Sequence, residues 1–326
     1  MNVVITGGAG FLGKRLALEL LGRGTLGGPD GRPRTIERIV LVDVVAAEGL
    51  PDDPRLRVLT GDVADPAVLA DAIDADTGSV FHLAAIVSGH AEADFELGMR
   101  INLDASRLLL ERCRALGTRP RVVFTSSVAV YGSAASGAVR DDTTLAPQTS
   151  YGTQKAIAEL LLADYSRRGF VDGRCMRLPT ISVRPGKPNK AASSFASGII
   201  REPLNGVESV CPVGPDTRLW LLSPRRAIRC LIDGHELDAA ALGASRNINM
   251  PGISVSVAEM LAALERVAGP APLRHVRWSS DPLVERIVAS WPAAWDTRRA
   301  EALGLEGDAS FDEIVRAYIE DELQPA

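Results

Sequence analysis

The sequence predicts an α/β fold, a doubly wound parallel sheet with a smaller C-terminal substrate-binding lobe. Three observations carry this. Short apolar runs alternate with helix-spaced segments through residues 1–180. A glycine-spaced turn, Gly7, Gly10 and Gly13, follows the first run directly. The second run ends in an acid, Asp43.

The elements follow in order. Residues 2–6 are apolar and end at glycines, which reads as a buried strand. Leu12, Leu16, Leu20 and Leu21 mark a helix over residues 11–22. Residues 22–31 read as a flexible glycine-rich loop. Ile39 to Asp43 form a second strand and Arg57 to Leu59 a third, followed by Gly61-Asp62-Val63. A helix is expected over residues 66–74 and a fourth strand over Ser79 to Leu83. A long helix over 92–116 leads to a fifth strand, Arg121 to Phe124, and a helix over 152–167 to a sixth, Cys175 to Leu178. Beyond about residue 180 the alternation loosens, and residues 182–224 are rich in Pro, Gly, Ser and Arg. The expected division is a dinucleotide-binding domain over 1–180. Residues 181–326 form mainly a substrate-binding lobe, with some segments returning to the first domain.

Bulk properties narrow the function. The chain has 326 residues, 46% of them hydrophobic, enough for a large core. Its net charge of -5 gives no electrostatic case for nucleic acid or anionic membrane. No apolar run approaches the roughly 20 residues of a membrane span. The strand-like Val3-Val4-Ile5 begins at once and leaves no room for a signal peptide. Cys113, Cys175, Cys211 and Cys230 lack paired spacing and read as reduced thiols of a cytoplasmic protein. His82, His90, His235 and His275 show no metal-ligand spacing, so no metal is expected.

The glycine turn between strand and helix suits a dinucleotide. Glycine allows the tight turn and the close approach of a pyrophosphate, and the helix N-terminus offers free N–H groups. Asp43 can accept hydrogen bonds from the adenosine ribose and repel a 2′-phosphate, which favours NAD over NADP; the alternative is a solvated loop acid. Asp62 would sit near the adenine or serve as a turn acid. The second chemical element is Tyr151, four residues before Lys155 on one helix face. A phenol's reference pKa near 10 is too high for a base at neutral pH. A nearby ammonium, with the positive charge of an oxidised nicotinamide, favours the phenolate. Ser127, at the end of the fifth strand, could hold the substrate oxygen during proton transfer.

Several motifs together resemble an extended short-chain dehydrogenase/reductase. They are the glycine turn, Asp62-Val63, His82-Leu83-Ala84-Ala85, Asn102, Thr125 to Gly132 and the Tyr151/Lys155 pair. The resemblance is close over 1–180 and continues loosely to Asp296-Thr297-Arg298-Arg299-Ala300. It implies a Rossmann-type fold, with Tyr151 as acid/base, Lys155 also on the nicotinamide ribose, and Ser127 orienting substrate. It extends the cofactor contacts from Gly7, Gly10, Phe11, Leu12, Gly13 and Asp43 to Asp62, Val63, Leu83, Ala84, Ala85, Asn102, Tyr151, Lys155 and Pro179. Asn102 also takes a structural role in the central helix. A homodimer built from the helices at 92–116 and 152–167 is implied as well.

The segment after the sixth strand departs from the sugar-nucleotide epimerases of that superfamily. Arg177 to Gly198, with Ile86-Val87-Ser88-Gly89-His90, resembles D-erythronate dehydrogenases. The implied reaction is NAD-dependent oxidation of D-erythronate at C2 to 2-oxo-tetronate, a step of sugar-acid catabolism. Arg184, Lys187, Asn189 and Ser193 could offer donors to a carboxylate and hydroxyls, or be solvated loop residues. Ser88, Ser126, Ser127, Tyr151 and Thr180 complete the expected substrate contacts. His90 stays open between substrate contact and loop residue. Lys190 reads as exposed, and Trp220, Trp278, Trp291 and Trp295 read as packing residues. One alternative is a sugar-nucleotide 4-epimerase that retains its NAD. Another, from a different class, is a non-catalytic NAD(H)-binding regulator, which the intact Tyr/Lys pair argues against. A dehydratase is disfavoured because Val128, not an acid, follows Ser127.

Overall fold

A computed structural model describes residues 1–132, 137–188 and 190–323. Strand β1 (Asn2–Thr6) leads through the glycine turn into helix α1 (Phe11–Arg23). The expected loop over 22–31 is only partly a loop. Helix α1 runs through Arg23, and a short antiparallel hairpin, β2 (Thr25–Gly27) with β3 (Pro33–Thr35), occupies the rest. Gly24 takes the left-handed conformation that ends α1 and lets the chain reverse. Strands β4 (Arg38–Asp43) and β5 (Leu56–Thr60) follow, then α2 (Pro66–Ala72) and β6 (Thr77–His82).

The expected long helix at 92–116 is segmented. It consists of α3 (Ser88–Ala93), α4 (Phe95–Gly98), a wide turn over Met99–Asp104 and α5 (Ala105–Leu116). The break falls at Asp94, whose carboxylate caps α4 through the Leu97 N–H at 3.0 Å. Strand β7 (Arg121–Ser127), helix α6 (Ser150–Arg167) and strand β8 (Asp172–Leu178) complete the sequence-predicted series.

These strands, apart from the β2–β3 hairpin, join β12 (Asn247–Asn249) in a seven-stranded sheet of order β12-β8-β7-β6-β1-β4-β5, and every pairing is parallel. The seventh strand, β12, lies beyond the predicted series. Every residue of β1 is buried, because both faces of the sheet are covered. Val3 and Ile5 pack with Leu16, Leu20 and Leu231 on one side. Val4 packs with Val80, Leu109 and Leu162 on the other. Each leucine fully withdrawn from water contributes about 2 kcal/mol of transfer free energy. The strand order reverses at β1, which pairs with β4 on one side and β6 on the other. A crevice at the carboxyl ends of strands at such a reversal is where doubly wound sheets bind ligands.

Residues after β8 build a third hydrophobic cluster. It includes Phe195, Ile199, Leu219, Met260, Leu264 and Ile314. Strands β9 (Thr180–Ile181), β11 (Arg218–Leu222) and β13 (Ile253–Ser256) form a small mixed sheet there. Strand β10 (Ser209–Cys211) pairs with β14 (Val276–Trp278). Trp220 and Trp295 stack at 5.8 Å between centroids, in a cluster with Tyr131 and Val139. Among the described residues no helix is long and apolar enough to cross a membrane, and no three His, Cys, Asp or Glu residues gather as a metal site.

Candidate active site

A cleft of about 630 Å³ opens at the carboxyl ends of β1, β4, β6 and β7. The glycine turn forms one end. A Cβ on Gly13 would lie 2.3 Å from the Gly7 carbonyl oxygen, so α1 can begin this close to β1 only with glycine there. Helix α1 has no side-chain cap and no acid in its first turn, which leaves that N-terminus suited to an anion. Asp43, at the end of β4, accepts from the Ala9 N–H at 3.0 Å and lines the cleft. Its carboxylate therefore both braces the turn and faces the ligand space. Asp62 lines the wall beside it, accepts from the Ala64 N–H at 2.8 Å and pairs with Arg100.

The other end of the cleft holds Ser127, Tyr151 and Lys155. Thr149 caps α6 through the Gly152 N–H at 3.1 Å, which fixes the first turn that carries Tyr151. A Cβ on Gly152 would lie 2.3 Å from the Ala129 carbonyl oxygen. This close approach sets the helix against the turn that follows Ser127. The Ser127 hydroxyl accepts from the Ala129 N–H at 3.2 Å. The Lys155 ammonium is buried, donates to the Thr125 carbonyl at 2.9 Å and lies 4.6 Å above the Phe124 ring. It is 5.8 Å from the Tyr151 ring centroid.

Burial governs the acid–base properties of this end. It pushes the Tyr151 phenol up to about 12, against the opposing pull of the Ser127 hydroxyl and the Arg184 guanidinium. It also pushes Lys155 down to about 8. The protein alone thus keeps Tyr151 protonated at neutral pH, and a positive charge brought in by a ligand is needed to favour the phenolate.

Behind the wall lies a layer of buried polar groups. His82 sits between Thr6 Oγ1, 2.7 Å from Nδ1, and Ser106 Oγ, 2.9 Å from Nε2. Ser106 spends its proton on the Asn102 carbonyl at 2.8 Å, so it accepts from Nε2–H and the imidazole is the Nε2 tautomer. Burial and the Lys155 charge push His82 down to about 3, so it is neutral. Glu159, one turn beyond Lys155, is buried and takes a bidentate contact from Arg177, at 2.9 and 2.7 Å. Ser126 also donates to Glu159, and Asn247 does so at 3.1 Å.

The sequence-predicted residues fall into three groups. Gly7, Gly10, Phe11, Leu12, Gly13, Asp43, Asp62, Val63, Leu83, Ala84, Ala85, Tyr151, Lys155 and Pro179 line the cleft, as do Ser88, Ser126, Ser127, Thr180, Arg184 and Ser193. Within this group the Ser126 hydroxyl is committed to Glu159. Two expectations are corrected. Asn102 is not on the cleft wall. It is buried one layer behind, accepting from the Ile86 N–H at 2.8 Å and donating to the Ile86 carbonyl at 3.0 Å and to Gln154 at 2.8 Å. It therefore clamps the loop after β6 to α6. Lys187 is exposed and off the cleft wall, because the chain turns outward at Pro185-Gly186, with Gly186 at φ +79°. Asn189 lies outside the described residues. Lys190 is exposed, and His90 is half-buried away from the cleft wall.

Sequence reasoning missed Arg100, Thr125 and Trp291, all of which line the cleft. It also missed the Glu159–Arg177 pair. Glu159 carried a readable signal, the next i+4 position after Tyr151 and Lys155. Trp291 carried none, since it reaches the cleft from far along the chain.

The NAD dependent epimerase/dehydratase family matches residues 3–223. The chain is 66% identical to a D-erythronate dehydrogenase from Cupriavidus necator over 321 residues, 98% of each chain. It is 46% identical to a D-erythronate dehydrogenase from Haemophilus influenzae, over 98% of this chain and 99% of that one. Among solved structures it superposes on one described as a nucleoside-diphosphate-sugar epimerase from Agrobacterium tumefaciens. There the TM-score is 0.91 and the identity 44%, over 99% of this chain and 94% of that one.

Proposed function

The chain belongs to the NAD dependent epimerase/dehydratase family, and from that footing we propose that it oxidises D-erythronate at C2. D-erythronate and NAD+ give 2-oxo-tetronate, NADH and a proton. The observation that carries this reading is one cleft with a glycine-cradled helix N-terminus at one end and Tyr151, Ser127 and Lys155 at the other.

The residues fit the cofactor. Gly7, Gly10, Phe11, Leu12 and Gly13 would hold the pyrophosphate, Asp43 the adenosine ribose, and Asp62 and Val63 the adenine. Leu83, Ala84, Ala85 and Pro179 would flank the path to the nicotinamide, and Lys155 would hold its ribose. The oxidised nicotinamide, when bound, would supply the hydride acceptor for C2. Tyr151 takes the C2 hydroxyl proton, and Ser127 donates to the substrate oxygen and orients it. Lys155, fixed by the Thr125 carbonyl, contributes positive charge near the phenol. Residues 1–180 would thus supply the cofactor and the acid/base, and the lobe from 181 onward the grip on substrate. Thr180, Arg184 and Ser193, with Ser88, line the space left for a small acid.

Two finer readings accompany this. A homodimer through the helical segments at 92–116 and 152–167 is supported by Phe95, Ile157 and Leu160, which are exposed there. A cytoplasmic setting is supported by four free, buried cysteines. The test of the reaction is NADH formation from D-erythronate, with L-threonate and D-threonate as stereochemical controls and NADP as the rival cofactor. Strong turnover with D-erythronate and NAD is expected. UDP-sugar interconversion without net NADH would replace this reading with an epimerase.

A further inference from the structure

Arg184 stands apart from the buried arginines. Arg121 and Arg174 lie 3.9 and 2.7 Å from Asp172, Arg177 lies 2.7 Å from Glu159, and Arg201 lies 2.5 Å from Glu202. Arg184 lines the cleft, is half-buried, and among the described residues has no carboxylate oxygen within 4.0 Å. Its side chain donates weakly to Ser193 Oγ, at 3.3 Å. Its backbone, by contrast, is fixed. The N–H donates to Ser197 Oγ at 3.0 Å and the carbonyl accepts from Arg201 at 2.7 Å. A desolvated cation without a counter-charge is costly, and such groups are ordinarily paired.

The chemistry of a 2-hydroxy acid says where its counter-charge must be. The carboxyl carbon is bonded directly to the carbon being oxidised, so a cation that reads the carboxylate must face the acid/base. Arg184 does: it lines the same cleft as Tyr151 and Ser127. Burial and the Arg201 charge behind it push the guanidinium down to about 10, the mark of a cation lacking an anion. Lys187, by contrast, is exposed and off the cleft wall.

We infer that Arg184 is the carboxylate receptor of this cleft, held by Ser197 and Arg201 so that the site selects anionic 2-hydroxy acids over neutral polyols. The inference rests on the proposed oxidation of a sugar acid and assigns its charge specificity to one residue.

The experiment compares wild type with Arg184→Gln and Arg184→Lys on D-erythronate and on its neutral amide. Wild type should prefer the acid. Arg184→Gln should lose about 100-fold in kcat/KM on the acid, chiefly through KM, the scale of a lost bidentate charged contact. Its acid-over-amide preference should collapse, Arg184→Lys should fall between, and NAD affinity should stay within about threefold. An unchanged acid-over-amide preference in both variants would overturn the assignment. A second readout needs no turnover: oxalate binding to the enzyme–NADH complex, followed by NADH fluorescence. Loss of oxalate binding in Arg184→Gln, with a smaller loss in Arg184→Lys, supports Arg184 even if D-erythronate proves not to be the substrate, and binding by Arg184→Gln as tight as wild type overturns it. Inactivity of wild type on D-erythronate strikes the proposed reaction instead, so the two failures are separable.

Discussion

Lys155→Met should abolish turnover and yet shrink a stability penalty that the native fold carries. The Lys155 ammonium is buried and its pKa falls from 10.5 to about 8. The sign follows from proton binding. Below about pH 8 folded and unfolded chains both hold the proton, and the folded state bears the full cost of burying it. Between about 8 and 10.5 the folded state releases the proton while the unfolded state keeps it, so stability rises with pH in that window. About 2.5 units at 1.36 kcal/mol each give a cost on the order of 3 kcal/mol at pH 7. Methionine removes that cost but leaves the Thr125 carbonyl without its 2.9 Å donor, worth about 1–3 kcal/mol in the other direction. The net at pH 7 is a small stabilisation of the variant, on the order of 1 kcal/mol. The stronger statement is the pH trend, because other titrating groups cancel in the difference. Urea denaturation of both proteins, without cofactor, at pH 7, 8.5 and 10 measures it. The variant's advantage should decline steadily and reverse toward pH 10. A difference that stays constant across that range would refute the argument that a buried charge is held at a cost in this cleft.

Two further outcomes follow from the same geometry. Tyr151→Phe should lower kcat by about 1000-fold, the scale of a lost general base, with NAD affinity within about threefold of wild type; equilibrium NAD binding and steady-state kinetics measure both, and near-normal kcat would remove Tyr151 from proton transfer. Asp43→Ala should cut the NAD-over-NADP ratio in kcat/KM by about 100-fold, since it deletes both the ribose acceptor and the repulsion of a 2′-phosphate. An unchanged ratio would leave Asp43 only its bond to the Ala9 N–H.

Much of the catalytic end was legible because its spacing is local. Tyr151 and Lys155 lie one turn apart on α6, and the glycine turn joins adjacent elements, so short-range pattern determines each constellation. The six predicted strands are all found in the main sheet; β1 and β4 were legible because runs buried on both faces must be apolar, whereas β5 lies at the edge and is part-exposed. What escaped is tertiary. Strand β12 is three residues long, and its place comes from pairing with β8. The break at Asp94 comes from a cap competing with helix continuation. Lys187 and Arg184 carry similar charge in one loop, and only the turn at Pro185-Gly186 decides which faces the cleft. Asn102 was expected at the cofactor from the family resemblance, but its amide is engaged one layer behind the cleft wall.

The polar partners in the cleft share one property that bears on how it selects a ligand. Lys155 and Arg184 are met there by a carbonyl and a hydroxyl, Thr125 and Ser193, and among the described residues by no carboxylate oxygen within 4.0 Å. Glu159, one turn beyond Lys155, is already occupied by Arg177. Neutral acceptors hold the two cations in place without cancelling their charge, which stays available to an anionic ligand. Ser193→Asp tests this directly, because it would set a carboxylate where a hydroxyl now lies 3.3 Å from the guanidinium. An internal partner should stabilise the fold, by about 1 kcal/mol for a half-buried pair. It should also raise KM for a sugar acid by about 100-fold, since the substrate must now displace a tethered competitor. Thermal melts and steady-state kinetics on the same preparation report the two effects together. A variant that binds the acid as wild type does, with no gain in stability, would show that the guanidinium is not waiting for an anion.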